Sequence, residues 1–390
     1  MSFQINPVKE TPYEDAKMLG HKQIVRNLKT FLENENMITP LSIAIHGDWG
    51  SGKTSIMKTL EKTLDSTKFE TLFFEAWKYE YSNPALGLIT EIAEKYSTGD
   101  TARNIVRAGV YILSQKYFGV DPEKIMQIIR ASKAHSETLS EQLKSIVQEK
   151  IGDKTLIVII DDLDRCDVEN SLQLLAILKL FFDLENCICI AAVDFERLKQ
   201  AWRQKHKIID NENEDGSNYL EKIFQIRIGI PKPTSIQIKE YIVTLTSDMP
   251  DYVADLFSET LPKNPRSIKR ILNLVSYRKN LLTRSSGELS SIFWTLLEET
   301  ISNKMIIQLN DALVKQGSSI THLMTIGDQW KDIKDLIERT VGNNIINRHA
   351  DKLSAYFVLC KKILDEQQTP LVEVSDDFKI LYASTNEVLR

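Results

Sequence analysis

Cysteine is scarce in this chain of 390 residues, with four copies at Cys166, Cys187, Cys189 and Cys360. Cys187 and Cys189 alternate with Ile188 and Ile190 in an apolar run, and no second cysteine pair or nearby histidine completes a zinc set. The pattern fits small buried hydrophobes in a reducing compartment. Long apolar runs are missing too. None reaches the roughly 18 uninterrupted residues of a membrane span; the nearest candidate, Ile105 to Val120, is broken by Arg107, Gln115 and Lys116. The N-terminal stretch MSFQINPVKETPYEDAK lacks the apolar centre of a signal peptide. No internal repeat and no low-complexity tract occurs. Neither charge sign dominates: the net charge of -5 is too small for a global field that draws in nucleic acid or anionic lipid. What these absences leave is a soluble, cytoplasmic protein.

A chain of this length exceeds one core and should hold two or three domains. The spacing of Ile24, Leu28 and Leu32 predicts an amphipathic helix over about His21 to Leu32. A short apolar run, Leu41 to His46, leads into glycines, and a helix follows over Thr54 to Leu64. Further strands are predicted at Thr71 to Glu75, Leu156 to Ile160, Cys187 to Val193 and Ile223 to Ile230. Helical patterns fill Ala85 to Ile151, apart from a break near Gly119 to Pro122, and recur at Glu169 to Phe182 and Arg197 to Lys207. Asn211 to Asn218 is acidic and wholly polar, as in a mobile loop. Strands alternating with helices imply a mainly parallel sheet covered on both faces. From Ser235 to about Gln367 the pattern is helical, with no convincing strand pair before the C-terminal tail.

The sharpest motif is Gly47-Asp48-Trp49-Gly50-Ser51-Gly52-Lys53-Thr54, which matches G-x-x-x-x-G-K-[ST] between a strand and a helix. Glycines let the backbone curl so that several N–H groups converge on a phosphate. The helix that follows adds a dipole favouring anions. Lys53 carries an ammonium to the β- and γ-phosphates, and the Thr54 hydroxyl is a ligand for Mg²⁺. Nucleotide contacts are therefore expected from Gly47 through Ser55, that is Gly47, Asp48, Trp49, Gly50, Ser51, Gly52, Lys53, Thr54 and Ser55. The second motif is the apolar run Leu156 to Ile160 ending in Asp161 and Asp162, which puts carboxylates at the ligand-binding edge of a central strand. Asp161 should hold Mg²⁺ through water; Asp162 should orient or deprotonate the attacking water. The guanine-reading N-K-x-D tetrad is absent, so ATP is the expected nucleotide.

Here the sequence resembles a known family. Ile160-Asp161-Asp162-Leu163-Asp164-Arg165-Cys166 is similar to the Walker B signature of KAP P-loop NTPases, and the P-loop with Trp49 before Gly50 is similar to theirs. Phe74-Glu75-Ala76-Trp77-Lys78-Tyr79-Glu80, Ala192-Val193-Asp194, Tyr219-Leu220-Glu221-Lys222-Ile223-Phe224 and Asn264-Pro265-Arg266-Ser267-Ile268-Lys269-Arg270 extend the likeness from about Leu19 to Asn273. The resemblance implies an α/β P-loop NTPase core of the additional-strand type. Its sheet is five-stranded and mainly parallel, with one other strand between the P-loop strand and the acidic strand. A helical lid and a helical C-terminal region follow. It also implies a bacterial setting, with phage defence among the family's roles. Many members attach to membranes through segments inserted between the two nucleotide motifs; the charged stretch from Ala85 to Ile151 departs from that. Glu75 stands where asparagine is expected. On this reading residues 1–17 form an N-terminal lead, 18–234 the core with a helical insertion at about 85–151, 235–285 the lid and 286–390 the C-terminal region.

Several positions keep two readings. Asp194 either touches the γ-phosphate or its attacking water, or caps the next helix. Arg266 is favoured as a phosphate sensor over a solvated arginine. Arg165 is favoured as an anchor for its loop through an ion pair, over an arginine finger. For Trp49 and Trp77 buried packing is favoured over stacking on a base. Leu19-Gly20 either touches adenine or is a plain junction. The basic stretches Arg197 to Lys207 and Lys263 to Lys279 read as solvated faces ahead of nucleic-acid sites. The expected partners are the nucleotide and either a second copy of the chain or another protein. Three functions compete: an ATP-driven switch, made slow by the short base Asp162, a nucleic-acid-stimulated ATPase, and a nucleotide-gated scaffold.

Overall fold

The computed structural model describes residues 5–11, 16–113, 139–181, 185–206, 221, 223–246, 249–284, 286–315, 317–325 and 343–388. The break expected near Gly119 to Pro122 and the acidic stretch from Asn211 to Asn218 lie outside them. Two compact units divide the chain. One comprises Pro12–Lys17 and His21–Pro231, the other Met1–Thr11, Met18–Gly20 and Lys232–Arg390.

The first unit is built on five parallel strands: β1 (Leu41–His46), β2 (Phe69–Glu75), β3 (Thr155–Asp161), β4 (Cys187–Val193) and β5 (Ile226–Gly229). Their order is β2-β3-β4-β1-β5, so β4 separates the P-loop strand from the acidic strand, as the resemblance implies. Register follows from the apolar runs: Ile43 pairs with Ile190, and Val158 with Cys189.

Both faces of the sheet are apolar because both are covered. Along β3, Leu156, Val158 and Ile160 enter one core, while Ile157 and Ile159 enter the other. The first core is closed by α3 (Pro84–Tyr96), α4 (Gly99–Leu113), α5 (Leu139–Ile151), α6 (Val168–Phe181) and α7 (Phe195–His206). The second is closed by α1 (His21–Leu32) and α2 (Lys53–Thr63). Each fully buried leucine or isoleucine contributes roughly 1.5–3 kcal/mol of transfer free energy. That continuous burial is why the strands read as unbroken apolar runs rather than alternating ones.

β5 is shorter than its predicted span, Ile223 to Ile230. Ile223 and Phe224 turn into the core instead, and the Ile223 carbonyl accepts the Ser42 hydroxyl.

The second unit is helical: α8 (Ser235–Leu245), α9 (Asp251–Thr260), α10 (Pro265–Lys279), α11 (Gly287–Thr300), α12 (Asn303–Lys315), α13 (Ile320–Thr325), α14 (Asn343–Gln367) and α15 (Leu371–Val388). The C-terminal tail, left open to a strand pair by its sequence, is thus a helix. One apolar cluster runs through this unit, from Ile238 and Phe257 to Trp294, Tyr356 and Leu381. The N-terminal residues lie on it: the Ile5 N–H donates to Glu288 at 2.7 Å and the Val8 N–H to Asn273 at 2.6 Å. Among the described residues no helix is long and apolar enough to cross a membrane.

Candidate functional site

The loop between β1 and α2 curls through left-handed backbone at Gly50 and Gly52, with φ of 82° and 101°. Gly52 caps α2 at its N-terminus, so the first free N–H groups of that helix open onto the loop. Gly47 has no room for a side chain: a Cβ there would stand 2.9 Å from Ser51 Oγ and 3.2 Å from Ile230 Cβ. Lys53, the first residue of α2, is buried. Its Nζ donates to the Gly47 carbonyl at 2.8 Å and lies 3.5 Å from Asp164 Oδ2. Thr54 follows in the first turn, and buried Ser55 gives its carbonyl to the Thr59 hydroxyl at 2.7 Å. Ser51 Oγ is buried without a hydrogen-bond partner.

β3 delivers its acids to the same edge. Asp161 is 2% exposed. Its Oδ1 accepts the Asp162 N–H at 2.9 Å, whereas Oδ2 is buried with no partner. Burial, reinforced by the negative charge of Asp162, pushes this carboxyl up to about 6; the Thr54 hydroxyl and the Asp162 N–H pull the other way. Asp162 itself sits in left-handed backbone with φ 57°. Its Oδ1 is 2.9 Å from Arg165 Nε, an ion pair made without hydrogen-bond alignment of that N–H. Arg165 is therefore tied to its own loop. The guanidinium also stands over the Trp77 ring, 5.3 Å from its centroid.

The segment Phe74 to Glu80 braces this loop. Glu80 Oε1 accepts the Asp167 N–H at 2.8 Å, and the Glu80 carbonyl accepts Asn170 Nδ2 at 3.0 Å. Glu75 lies in register with Asp161 and pairs with Lys78 and, at 3.8 Å, with Lys58. The hydrogen bond from Lys78 holds the Glu75 carboxyl below its usual range.

Trp49 and Trp77, expected to pack inside, are instead 64% and 52% exposed. Trp49 lies in the P-loop, and Trp77 sits just after the edge strand β2 with the Arg165 guanidinium over its ring. Asp194 directly follows β4, and its carboxylate accepts the N–H groups of Glu196 and Arg197 at 3.1 and 3.2 Å, a cap for α7. Arg266 belongs to the helical unit, in the first turn of α10, where Asn264 Oδ1 accepts its N–H at 3.0 Å. In the basic stretch around it, Arg270 pairs with Glu299 at 2.8 Å, Arg278 pairs with Glu298, and Lys269 is buried.

Sequence reasoning named Asp164 only as part of a motif, yet it is the buried counter-ion of Lys53. A third acid at the end of the Walker-type strand was the available signal.

Over 284 residues the chain is 23% identical to the phage T7 exclusion protein of Escherichia coli strain K12. That match covers 60% of this chain and 35% of the relative, so the chain spans about a third of the relative's length. Among solved structures it is similar to the Walker-type ATPase PABY2304 of Pyrococcus abyssi, at 13% identity and a TM-score of 0.41, covering 90% of this chain and 98% of that one. A variant of RuvB from Thermotoga maritima is likewise similar at 13% identity and a TM-score of 0.38, with 88% and 90% covered. The model of the KAP family P-loop domain matches residues 21–282, two thirds of the chain, and the protein belongs to that family of nucleotide-binding P-loop NTPases.

Proposed function

We propose that the P-loop and the acidic end of β3 form one site for Mg²⁺ and ATP, and that the chain hydrolyses ATP slowly as a nucleotide-dependent switch. One observation carries the reading: Asp161 Oδ2 is a buried carboxylate oxygen without a partner, on a carboxylate that also meets the Thr54 hydroxyl. A buried anion left so is costly unless a cation completes it. Two hard oxygen donors at a phosphate loop fit Mg²⁺. Thr54 and Asp161 would hold the ion, which when bound neutralises charge on the phosphate oxygens.

The chain's own groups then have defined tasks. Lys53 exchanges the Gly47 and Asp48 carbonyls and the Asp164 carboxylate for phosphate oxygens. The curled backbone at Gly50 and Gly52 supplies N–H donors. Asp162 orients or deprotonates the attacking water, and must leave Arg165 to do so. Asp194 and Arg266 are proposed to sense the phosphates, Asp194 from its place at the head of α7. ATP is preferred because no guanine-reading tetrad is present. The helical unit, residues 235–285 first, would answer the nucleotide state as a lid.

The engaged state of Asp162 favours a second reading, a nucleotide-gated scaffold with little turnover. The exclusion of phage T7 named for the Escherichia coli relative supports a role in bacterial antiviral defence, with a second copy or another protein as partner.

Steady-state phosphate release with Mg²⁺ and ATP tests the proposal, comparing wild type with Lys53→Ala and Asp162→Ala, with and without DNA or RNA. Turnover lost in both variants is expected. Turnover indifferent to Asp162→Ala would leave the scaffold.

A further inference from the structure

A lysine ammonium has three N–H donors, and three acceptors surround that of Lys53: the Gly47 carbonyl at 2.8 Å, the Asp48 carbonyl at 3.4 Å and Asp164 Oδ2 at 3.5 Å. Two of them are neutral carbonyls of the loop. The third is a carboxylate, and both members of that ion pair are 7% exposed. Water does little to screen charges so placed, so losing one partner costs more here than at a surface pair.

The backbone that carries Asp164 is fixed. It forms the 3₁₀ turn Leu163–Arg165, directly after Asp162. Leu163 is fully buried, its carbonyl accepts the Ser171 hydroxyl of α6 at 3.0 Å, and the Arg165 N–H closes the turn on the Asp162 carbonyl at 3.1 Å. A short side chain on such a backbone stays close when Lys53 turns away. A phosphate that takes the ammonium therefore exchanges one anion for another, and gains less than it would from an unpaired lysine. The released carboxylate is then a buried anion beside a second anion, which adds repulsion to the lost attraction.

We infer that Asp164 sets the nucleotide affinity of the site as a competitor: its carboxylate holds Lys53 against the incoming phosphate and so loosens binding. The inference rests on the proposed ATP site and gives a task there to the third acid of the Walker-type run. A looser site releases its nucleotide more readily, which suits a switch. Asp164 touches neither phosphate nor reacting atoms in this account. Its effect passes through Lys53, and its sign is diagnostic. Neutralising a residue that supports the fold, or that helps to hold Mg²⁺, weakens binding; neutralising a competitor strengthens it.

The test is calorimetric titration of the full chain with Mg²⁺–ADP, comparing wild type, Asp164→Asn, Asp164→Ala and Lys53→Ala. Asparagine keeps the size of the side chain and an oxygen for the lysine, without the charge. The expected dissociation constant is about tenfold lower in Asp164→Asn, which is 1.4 kcal/mol, lower also in Asp164→Ala, and far higher in Lys53→Ala. Melting curves give a second readout. Nucleotide-free Asp164→Asn should melt below wild type, because Lys53 is left buried without a counter-ion. Saturating Mg²⁺–ADP should remove that deficit, since the phosphate then supplies the missing charge. A supporting role predicts weaker binding and a deficit that persists with ligand. Tightening of less than threefold, or any weakening, overturns the inference; if one variant fails to fold, the other decides. Variants that fold only with Mg²⁺–ADP present uphold it, and failure of both to fold even then overturns it. Wild type that binds no Mg²⁺–ADP would sink the nucleotide site itself. Wild type that binds, with affinity unchanged in both variants, sinks the competing role alone.

Discussion

Replacing Asp161 with asparagine should stabilise the nucleotide-free protein, and should do so only at neutral and alkaline pH. The side chain is 2% exposed, and its carboxyl is pushed from 3.8 up to about 6, first by burial and then by the charge of Asp162. Between those two values the folded chain holds a proton that the unfolded chain has already released. Stability therefore falls as pH rises through that window, and the whole penalty is present above about 6. A shift of about two units corresponds to about 3 kcal/mol. Asparagine keeps an oxygen that can accept the Asp162 N–H and carries no charge, so it removes the penalty while preserving that hydrogen bond. Urea denaturation of wild type and Asp161→Asn without nucleotide or Mg²⁺ should give matching midpoints near pH 4. By pH 8 the variant should be ahead by about 3 kcal/mol, or roughly 6–12 °C in melting temperature for a unit of this size. Adding Mg²⁺ and ATP should stabilise wild type far more than the variant. A difference that is the same at pH 4 and pH 8 would refute the reasoning, since it would mean that charge burial is not what distinguishes the two side chains.

Three further outcomes are expected. Ile159→Ala, at a fully buried position facing α1 and α2, should cost about 2–5 kcal/mol in chemical denaturation, because two packed layers limit collapse around the gap. Asn264→Ala removes the acceptor for the Arg266 and Ser267 N–H groups and should cost about 1 kcal/mol, measured as loss of the helical unit's protection from hydrogen exchange. Trp49, exposed on the P-loop, should change its fluorescence when Mg²⁺–ADP is added, and an emission change that survives Lys53→Ala would break the link to the nucleotide.

The parts of this protein legible in its sequence were those where one physical rule acts alone. A central parallel strand must be apolar on both faces, so β3 and β4 announce themselves as unbroken runs. A loop that curls around an anion needs glycine and a lysine in fixed order, so Gly47 to Thr54 was readable. Arg165 was expected to anchor its loop through an ion pair, and Asp162, three residues earlier, supplies the partner. Elsewhere two rules competed. Tryptophan is usually buried near a sheet, but Trp49 and Trp77 lie in the segments that follow β1 and β2, and both are exposed. Ile223 and Phe224 have strand-like side chains, yet the core claims them before β5 begins. The Lys53–Asp164 pair and the contact of the His21 ring with Gly52 join residues far apart in sequence. For the first, a third acid following β3 was the one local hint; nothing local encodes the second.

The order of strands also bears on how the protein is made. β1, which carries the P-loop, bonds to β4 and β5 and to nothing nearer in the sequence. At ~5–20 residues per second, the ribosome needs on the order of 10–40 s to deliver the remaining 180 or so residues that complete this pairing. Until β4 emerges, which is most of that interval, an apolar strand with two open edges waits beside a half-formed sheet. Synthesis rate and chaperone supply should therefore govern the yield of this protein as much as its final stability does.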